Sequence, residues 1–90
     1  MAIYQQTAKA VLRDDFGGRW DLRYYVATIE NADKVTYGIK IERDVQDEKN
    51  SEETMGLTHS FEEAEAWSQK LAAGLVTPLC LHEVIDDLMN

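Results

Sequence analysis

The stretch "LHEVIDD" at residues 81–87 holds the side chains whose types and spacing come nearest to a metal site. In zinc hydrolases with H-E-x-x-H on a helix, two histidines four residues apart bind the metal and the glutamate polarises water. Here the residue four positions after His82 is Asp86, and no third ligand is indicated. Catalytic zinc needs three protein ligands, so we expect no metal site. His82, Glu83, Asp86 and Asp87 are interpreted as the solvated side of a terminal helix.

Three other motifs have the residue types for chemistry, and each has a structural explanation. Cys80 stands near the start of the same helix, where a thiol can be activated as a nucleophile, but no base is evident. Its position beside an apolar stripe predicts a buried structural thiol. Ser60 is explained as a helix cap, and the glycines of "DDFGG" at 14–18 are explained as turn residues. We therefore predict no catalytic residue and no cofactor.

The charge of the chain is strongly asymmetric. Residues 1–43 hold seven Lys/Arg and six Asp/Glu, whereas residues 44–90 hold two Lys/Arg and eleven Asp/Glu, and the formal net charge is −8. Such a surface repels phosphate backbones, which argues against direct nucleic-acid binding and favours a basic protein partner. The single cysteine and the absence of a long apolar run predict a cytoplasmic protein with no membrane span.

The acids of the terminal helix are unfavourably placed. Asp86 and Asp87 fall in its last turn, where the helix dipole disfavours anions, and Glu83 and Asp87 form a like-charge i, i+4 pair. Two explanations stay open. In the first, an arginine of the sheet pairs with these acids within the fold, the candidates being Arg13, Arg19 and Arg23. In the second, the acids form a binding surface for a basic partner.

The first half of the chain has the pattern of antiparallel strands. In "KVTYGIKIER" apolar and polar residues alternate, as expected when one side of a strand is buried and the other is wet. "WDLRYYVATIE" carries apolar and aromatic residues on both sides, which predicts a central strand, whereas "IYQQTAKAVLR" predicts an edge strand. We place these strands at 3–13, 20–30 and 34–43. The polar run at 44–53 is predicted to be an exposed loop, and 53–58 is the candidate for a short fourth strand.

The period then changes to that of helices. "SFEE" predicts a capping box, in which the Ser60 hydroxyl accepts from the N–H of Glu63 while the Glu63 side chain reaches back to the N–H of Ser60. Gly74 is expected to end this helix in a left-handed conformation. Thr77 as N-cap and Pro78 at the first position predict a second helix. We place the helices at 61–73 and 78–89; the inner stripe of the second is Leu81, Val84, Ile85 and Leu88.

The element order predicts an α+β fold in a single domain. It is a three- to four-stranded antiparallel β-meander with two C-terminal amphipathic helices packed on one face. The other face of the sheet is left open. The pattern of the central strand does not decide which face the helices cover, because Tyr24 and Tyr25 point to opposite sides.

Three motifs resemble a bacterial family. They are "VTYGI" (35–39), the capped helix and stop "SFEEAEAWSQKLAAGLVTP" (60–78) and the closing "LHEVIDDLM" (81–89). Together they are similar to an uncharacterised domain-of-unknown-function family found in clostridial and related bacterial genomes. The resemblance covers residues 20–89, and residues 3–19 lie outside it. It implies no activity, catalytic residue or cofactor.

These observations give a leading hypothesis of a small non-enzymatic module that binds a basic protein. Its most concrete form is a phage- or mobile-element-type inhibitor that occupies a nucleic-acid-binding surface, as acidic DNA mimics and small anti-CRISPR proteins do. Tyr and Arg are enriched in interfaces, so the open sheet face is included in the predicted surface. The predicted contact residues are Glu62, Glu65, Glu83, Asp86, Asp87, Arg23 and Tyr25. The alternatives are a homodimeric scaffold and, third, a metal protein or enzyme using His82 and Asp86.

Overall fold

The computed structural model describes residues 2–13, 15–45 and 48–89. Part of the predicted first turn, Asp14, lies outside these ranges. So do Gln46 and Asp47, which belong to the predicted loop. Four strands are followed by two helices, with a short 3₁₀ turn before the second helix. The elements are β1 (Ala2–Arg13), β2 (Arg19–Asn31), β3 (Lys34–Val45), β4 (Glu48–Thr58), α1 (Phe61–Ala73), the 3₁₀ turn (Pro78–Cys80) and α2 (Leu81–Met89). The predicted α+β meander is confirmed.

The sheet is antiparallel with the order β1-β2-β3-β4, so β2 is central and β1 is an edge, as predicted. The fourth strand is longer than predicted. It begins at Glu48, and its ladder with β3 extends from the Val45–Glu48 pair to the Tyr37–Thr58 pair. The prediction of a loop is therefore wrong for residues 44–45 and 48–53. An edge strand with most side chains exposed needs no apolar alternation, so hydrophobic periodicity does not reveal it.

The helices cover the face of the sheet that carries Leu22, Tyr24 and Val26. These side chains lie beside Ile39 and Ile41 of β3, and all five are essentially inaccessible to solvent. α1 lies mainly over β1 and β2, and the 3₁₀ turn and α2 lie over the β3–β4 side. The core cluster is completed by Ala64, Leu71, Leu81 and Ile85. Burying these side chains is the main source of stability, at roughly 1.5–3 kcal/mol for each large apolar residue.

Gly38 permits a close approach of β3 and β4. A Cβ at this position would overlap the carbonyl oxygen of Thr54, and the register of the two strands shifts here, between Tyr37 and Ile39. Such irregularities increase the local twist of an edge strand. The "VTYGI" motif therefore includes a glycine that the sheet itself requires.

The start of α1 follows one half of the predicted capping box. The Ser60 hydroxyl accepts a hydrogen bond from the N–H of Glu63 at 3.2 Å, which confirms the cap. The N–H of Ser60 donates instead to the hydroxyl of Thr58, at 3.1 Å. The predicted return contact from the Glu63 side chain is therefore wrong, because a nearer acceptor precedes the helix.

The end of α1 differs from the prediction by one residue. Gly74 has φ −87°, and the left-handed residue is Leu75, with φ +53°. The N–H of Val76 donates to the carbonyl of Leu71, and that of Leu75 to the carbonyl of Ala72, which is the Schellman arrangement. The assignment of the left-handed position to Gly74 is wrong.

The second helix begins with a 3₁₀ turn. Pro78 occupies the first position, as predicted, and is buried, but Thr77 makes no side-chain cap bond. Cys80 is exposed, so the prediction of a buried thiol is wrong. A 3₁₀ turn has three residues per turn and the α-helix has about 3.6, so the side chains of residues 79 and 80 do not continue the buried stripe of α2. The inner stripe holds as predicted, with Leu81 and Ile85 buried and Val84 and Leu88 half-buried.

Candidate functional site

Three acids on the outer side of α2 form a group that we call the α2 acids: Glu83, Asp86 and Asp87. The helix turns them outward because Leu81 and Ile85 face the core, and all three side chains are exposed. Residues 78–89 contain no lysine or arginine. Within the described residues, no side chain forms an ion pair with any of the α2 acids.

His82 lies on the same exposed side of α2 and turns toward the sheet. Its Nε2 is 3.5 Å from a carboxylate oxygen of Glu52 on β4, and both side chains are more than half exposed. His82 and Asp86 have no third ligand close by, since the described residues contain no group of three or more His, Cys, Asp or Glu placed to hold a metal ion. His82 therefore contacts Glu52 across the α2–β4 boundary.

Arginines of the sheet do not neutralise the α2 acids. Arg19 contacts Asp21 at 3.1 Å on its own strand, and Arg23 contacts two acids of β3. These arginines, with Arg13 opposite Arg19, lie on the open face of the sheet, away from the helices. The first explanation for the acids, pairing with a sheet arginine, is wrong for the described part of the chain.

Arg23 and Tyr25 are central to a polar network on the open face. The Arg23 guanidinium donates to Asp44 at 2.7 Å and to Glu42 at 3.3 Å. The Tyr25 hydroxyl donates to the same Glu42 oxygen at 2.7 Å, and Lys40 lies 3.6 Å from the other oxygen. The network arises because β2 and β3 place opposite charges side by side, with Arg23 directly opposite Glu42. Both predicted residues are thus engaged within the fold.

The pKa values in this network shift as its contacts require. The pKa of Glu42 is lowered, chiefly by the hydrogen bond from Tyr25 and further by the one from Arg23. The hydrogen bond from Arg23 also lowers the pKa of Asp44, and the pKa of Arg23 rises in return. Burial raises the pKa of Tyr25, and its bond to Glu42 adds to the rise. These pKa shifts favour the charged forms of Arg23, Glu42 and Asp44 and the neutral form of Tyr25 at pH 7.

The network extends across the sheet through Tyr4. Tyr4 of β1 is paired with Ala27 of β2, which is paired with Gly38 of β3. The Tyr4 side chain reaches across these two small residues, and its hydroxyl donates to Glu53 on β4 at 2.6 Å. The Lys40 ammonium lies 4.5 Å from the centre of the ring. Ala27 is consequently inaccessible although no helix covers it. The sequence analysis missed Tyr4; the pair of small residues opposite it was the available signal.

The predicted acids of α1 are separated from the α2 acids. Glu62 is exposed in the first turn of α1, where the helix dipole favours an anion. Glu65 is half-buried, and its backbone carbonyl accepts a hydrogen bond from Ser68 at 2.7 Å. Because α1 lies mainly over β1 and β2, the structure divides the predicted contact residues among α1, α2 and the open face.

Two buried polar features on the helix-covered face also escaped the sequence analysis. Ser68 is fully buried, and its hydroxyl lies 2.6 Å from that of Thr7, the extra residue of a bulge in β1. A serine within the apolar stripe of α1 was the available signal. The Arg43 guanidinium stacks 4.7 Å from the ring centre of Trp20, at the margin of a 220 Å³ cleft.

Comparison with known proteins places the chain in a family without an assigned activity. Residues 4–90 match a family described as "Family of unknown function (DUF6514)", and the chain belongs to that family. The match includes most of β1, which the sequence-based resemblance had left out. Neither the curated proteins nor the solved structures give a match. No helix among the described residues has the length and apolar character needed to cross a membrane.

Proposed function

We propose that the protein is a non-enzymatic module that binds a basic protein partner through its acidic helical surface. That surface is formed by the α2 acids; Glu62 and Glu65 lie apart from them on α1 and are further predicted contacts. The observation that carries the proposal is the state of the α2 acids: they are three exposed carboxylates that pair with no cation among the described residues, and two of them lie in the last turn of a helix. Each such anion is disfavoured there by about 0.3–1 kcal/mol, and a cationic partner offsets that penalty.

The finer proposal is that the partner is a nucleic-acid-binding protein and that this chain occupies its basic surface. Exposed carboxylates on a helix present negative charge to lysines and arginines that otherwise contact phosphates. This role suits an inhibitor of the phage or mobile-element type acting in the cytoplasm of a bacterium. The clostridial source implied by the resemblance belongs to the same proposal.

Arg23 and Tyr25 remain predicted contact residues, with a modified role. Their polar atoms already bond Glu42 and Asp44, so partner binding on the open face has to use the exposed parts of the network. Contacts there are expected to add specificity, because rearranging the network leaves partly buried charges unpaired.

Affinity capture from a bacterial lysate tests the proposal. The bait is the wild type beside the variant E83Q/D86N/D87N, at low and moderate salt, with mass spectrometry of the bound proteins. A matched control, D15N/E30Q/D33N, removes the same charge from exposed acids in the turns of the sheet. The proposal predicts a basic protein that the wild type and the control retain and the α2 variant loses. Equal capture by all three baits contradicts it.

A second candidate is a homodimeric scaffold formed by pairing of β1 edges. Its support is the outer edge of β1, where Ile3 is 55% exposed and Val11 is 44% exposed. Such a dimer is isologous and rests on backbone hydrogen bonds, so its mass is expected to be insensitive to salt. Sedimentation at several salt concentrations tests this candidate. The third, a metal protein or enzyme using His82 and Asp86, predicts bound metal and a lower melting temperature after EDTA treatment.

A further inference from the structure

The open face has a basic corner, which we define as Lys9, Arg13 and Arg19. In the β1–β2 ladder Lys9 stands directly opposite Arg23, and Arg13 stands directly opposite Arg19. Like charges in directly opposite positions destabilise a strand pair, and two such pairs lie on one face with the Val11–Asp21 pair between them. This arrangement breaks a local rule of sheet design in an otherwise acidic protein, which is typical of a functional surface.

A cleft of about 450 Å³ lies at the basic corner. Its lining includes Lys9, Arg19 and Arg23, and Asp21 is the one carboxylate among the described residues that line it. Asp21 contacts Arg19, and Arg23 is held by the acids of β3, so Lys9 and the neighbouring Arg13 have no carboxylate partner among the described residues. The exposed Val11 gives the cleft an apolar wall. Its chemistry suits a short segment with two or three carboxylates.

The same chain carries such a segment, on the opposite side of the sheet. α2 packs on the helix-covered face beside β4, whereas the basic corner lies on the open face at β1 and β2. The α2 acids of a molecule therefore cannot reach its own basic corner. Among the described residues, the α2 acids pair with no cation and Lys9 and Arg13 of the basic corner pair with no carboxylate, and the sheet separates the two groups.

We propose that the basic corner of one copy binds the α2 acids of a second copy. This inference rests on the proposed function, because it names a further partner for the same acidic surface. The interface is heterologous, so each bound copy still offers one free acidic group and one free basic corner, and chains or closed rings form. Two copies of charge −8 repel each other at long range. Moderate salt screens charges that lie more than roughly 10 Å apart, and it weakens the close contacts between the α2 acids and the basic corner much less. Association is therefore expected at moderate salt and lost at high salt.

Complementation between two variants tests this geometry. One variant, K9Q/R13Q/R19Q, lacks the basic corner, and the other, E83Q/D86N/D87N, lacks the α2 acids. In sedimentation equilibrium each variant alone is expected to remain at the monomer mass of 10.3 kDa, while the wild type exceeds it. The equimolar mixture is expected to form a one-to-one complex of twice that mass and nothing larger, since only one complementary pair of surfaces remains.

The control D15N/E30Q/D33N separates this contact from net charge. It carries the same charge change as the acid variant and is expected to associate at least as strongly as the wild type. The basic-corner variant removes two like-charge pairs together with the exposed Arg19–Asp21 ion pair, so its melting temperature is expected to stay close to that of the wild type. A monomeric wild type at moderate salt, or a mixture that stays monomeric, overturns the inference. Because these samples contain only this chain, that result leaves the capture of a basic protein by the wild type unaffected.

Discussion

The Tyr24 hydroxyl connects the central strand to the segment that places α2, and its removal gives the sharpest stability prediction. Tyr24 is fully buried, and its hydroxyl donates to the carbonyl of Val76 at 2.8 Å. Val76 lies between α1 and the 3₁₀ turn that precedes α2. Tyr24→Phe deletes one oxygen atom, preserves the ring in the core and leaves that carbonyl without its partner.

The expected loss of stability follows from the hydrogen bond. A neutral intramolecular hydrogen bond contributes about 0.5–1.5 kcal/mol net, and a buried acceptor left unpaired costs about 1–3 kcal/mol. The carbonyl of Val76 is half-buried, so we expect Tyr24→Phe to lower the free energy of unfolding by about 1–2 kcal/mol at pH 7. In a domain of this size that loss lowers the melting temperature by roughly 4–16 °C.

The same residue predicts a distinctive dependence on alkaline pH. Burial raises the pKa of Tyr24 from 10.0 to about 12. Between these values the unfolded chain releases the phenol proton and the folded chain keeps it, so stability falls as pH rises. The slope contributed by Tyr24 is about 1.4 kcal/mol per pH unit in that window. Tyr24→Phe removes this contribution, so its stability is expected to fall less steeply than that of the wild type.

Urea unfolding at pH 7 and across pH 9–12 measures both effects. The control is Tyr4→Phe, which deletes a hydroxyl from an exposed side chain on the open face. The Tyr4 hydroxyl bonds the carboxylate of Glu53 in a solvent-exposed position, so at pH 7 Tyr4→Phe is expected to cost less stability than Tyr24→Phe. Equal stability of Tyr24→Phe and the wild type at pH 7, or parallel stability curves above pH 10, refutes the reasoning.

Three further predictions concern the sheet and the end of α1. Gly38→Ala forces the new Cβ against the carbonyl oxygen of Thr54 and is expected to destabilise the fold by about 2 kcal/mol or more in urea unfolding. Leu75→Gly relieves a left-handed backbone and is expected to raise the melting temperature, a result that places the left-handed position at residue 75. Tyr25→Phe removes the main cause of the lowered pKa of Glu42, so an NMR titration is expected to show that pKa moving back toward 4.5. The folded-state pKa of Glu42 lies below its unfolded value, so the stability it gives is lost as pH falls below about 4.5, and the variant is expected to lose less.

Hydrophobic pattern and turn chemistry sufficed to predict most of the fold. The central strand was identifiable because both of its sides carry apolar residues, and α1 because Ser60 caps an apolar stripe. β4 was predicted too short because its solvated edge has no apolar period. The residue after α1 was misassigned because glycine is the usual left-handed residue, whereas Leu75 holds that position here. The preference of glycine for positive φ does not decide which of two neighbouring residues, Gly74 or Leu75, adopts the left-handed conformation.

The candidate site could be predicted only in part. That the α2 acids face outward follows from helical spacing, and the structure agrees. That the sheet arginines are engaged elsewhere depends on which face of the sheet the helices cover, and the pattern of β2 does not decide this. The like-charge pairs of the basic corner likewise require the β1–β2 register, because a shift of one residue moves every side chain to the other face.

The affinity of a captured basic protein for this chain, measured against salt concentration, tests the central claim most directly. The titration uses the purified partner with the wild type, E83Q/D86N/D87N and the D15N/E30Q/D33N control. We predict that the wild type and the control bind equally and more weakly as salt increases, and that the α2 variant binds at least tenfold more weakly at low salt, a loss of about 1.4 kcal/mol. Equal affinity of all three proteins, or an affinity independent of salt, contradicts a binding role for the acidic helical surface.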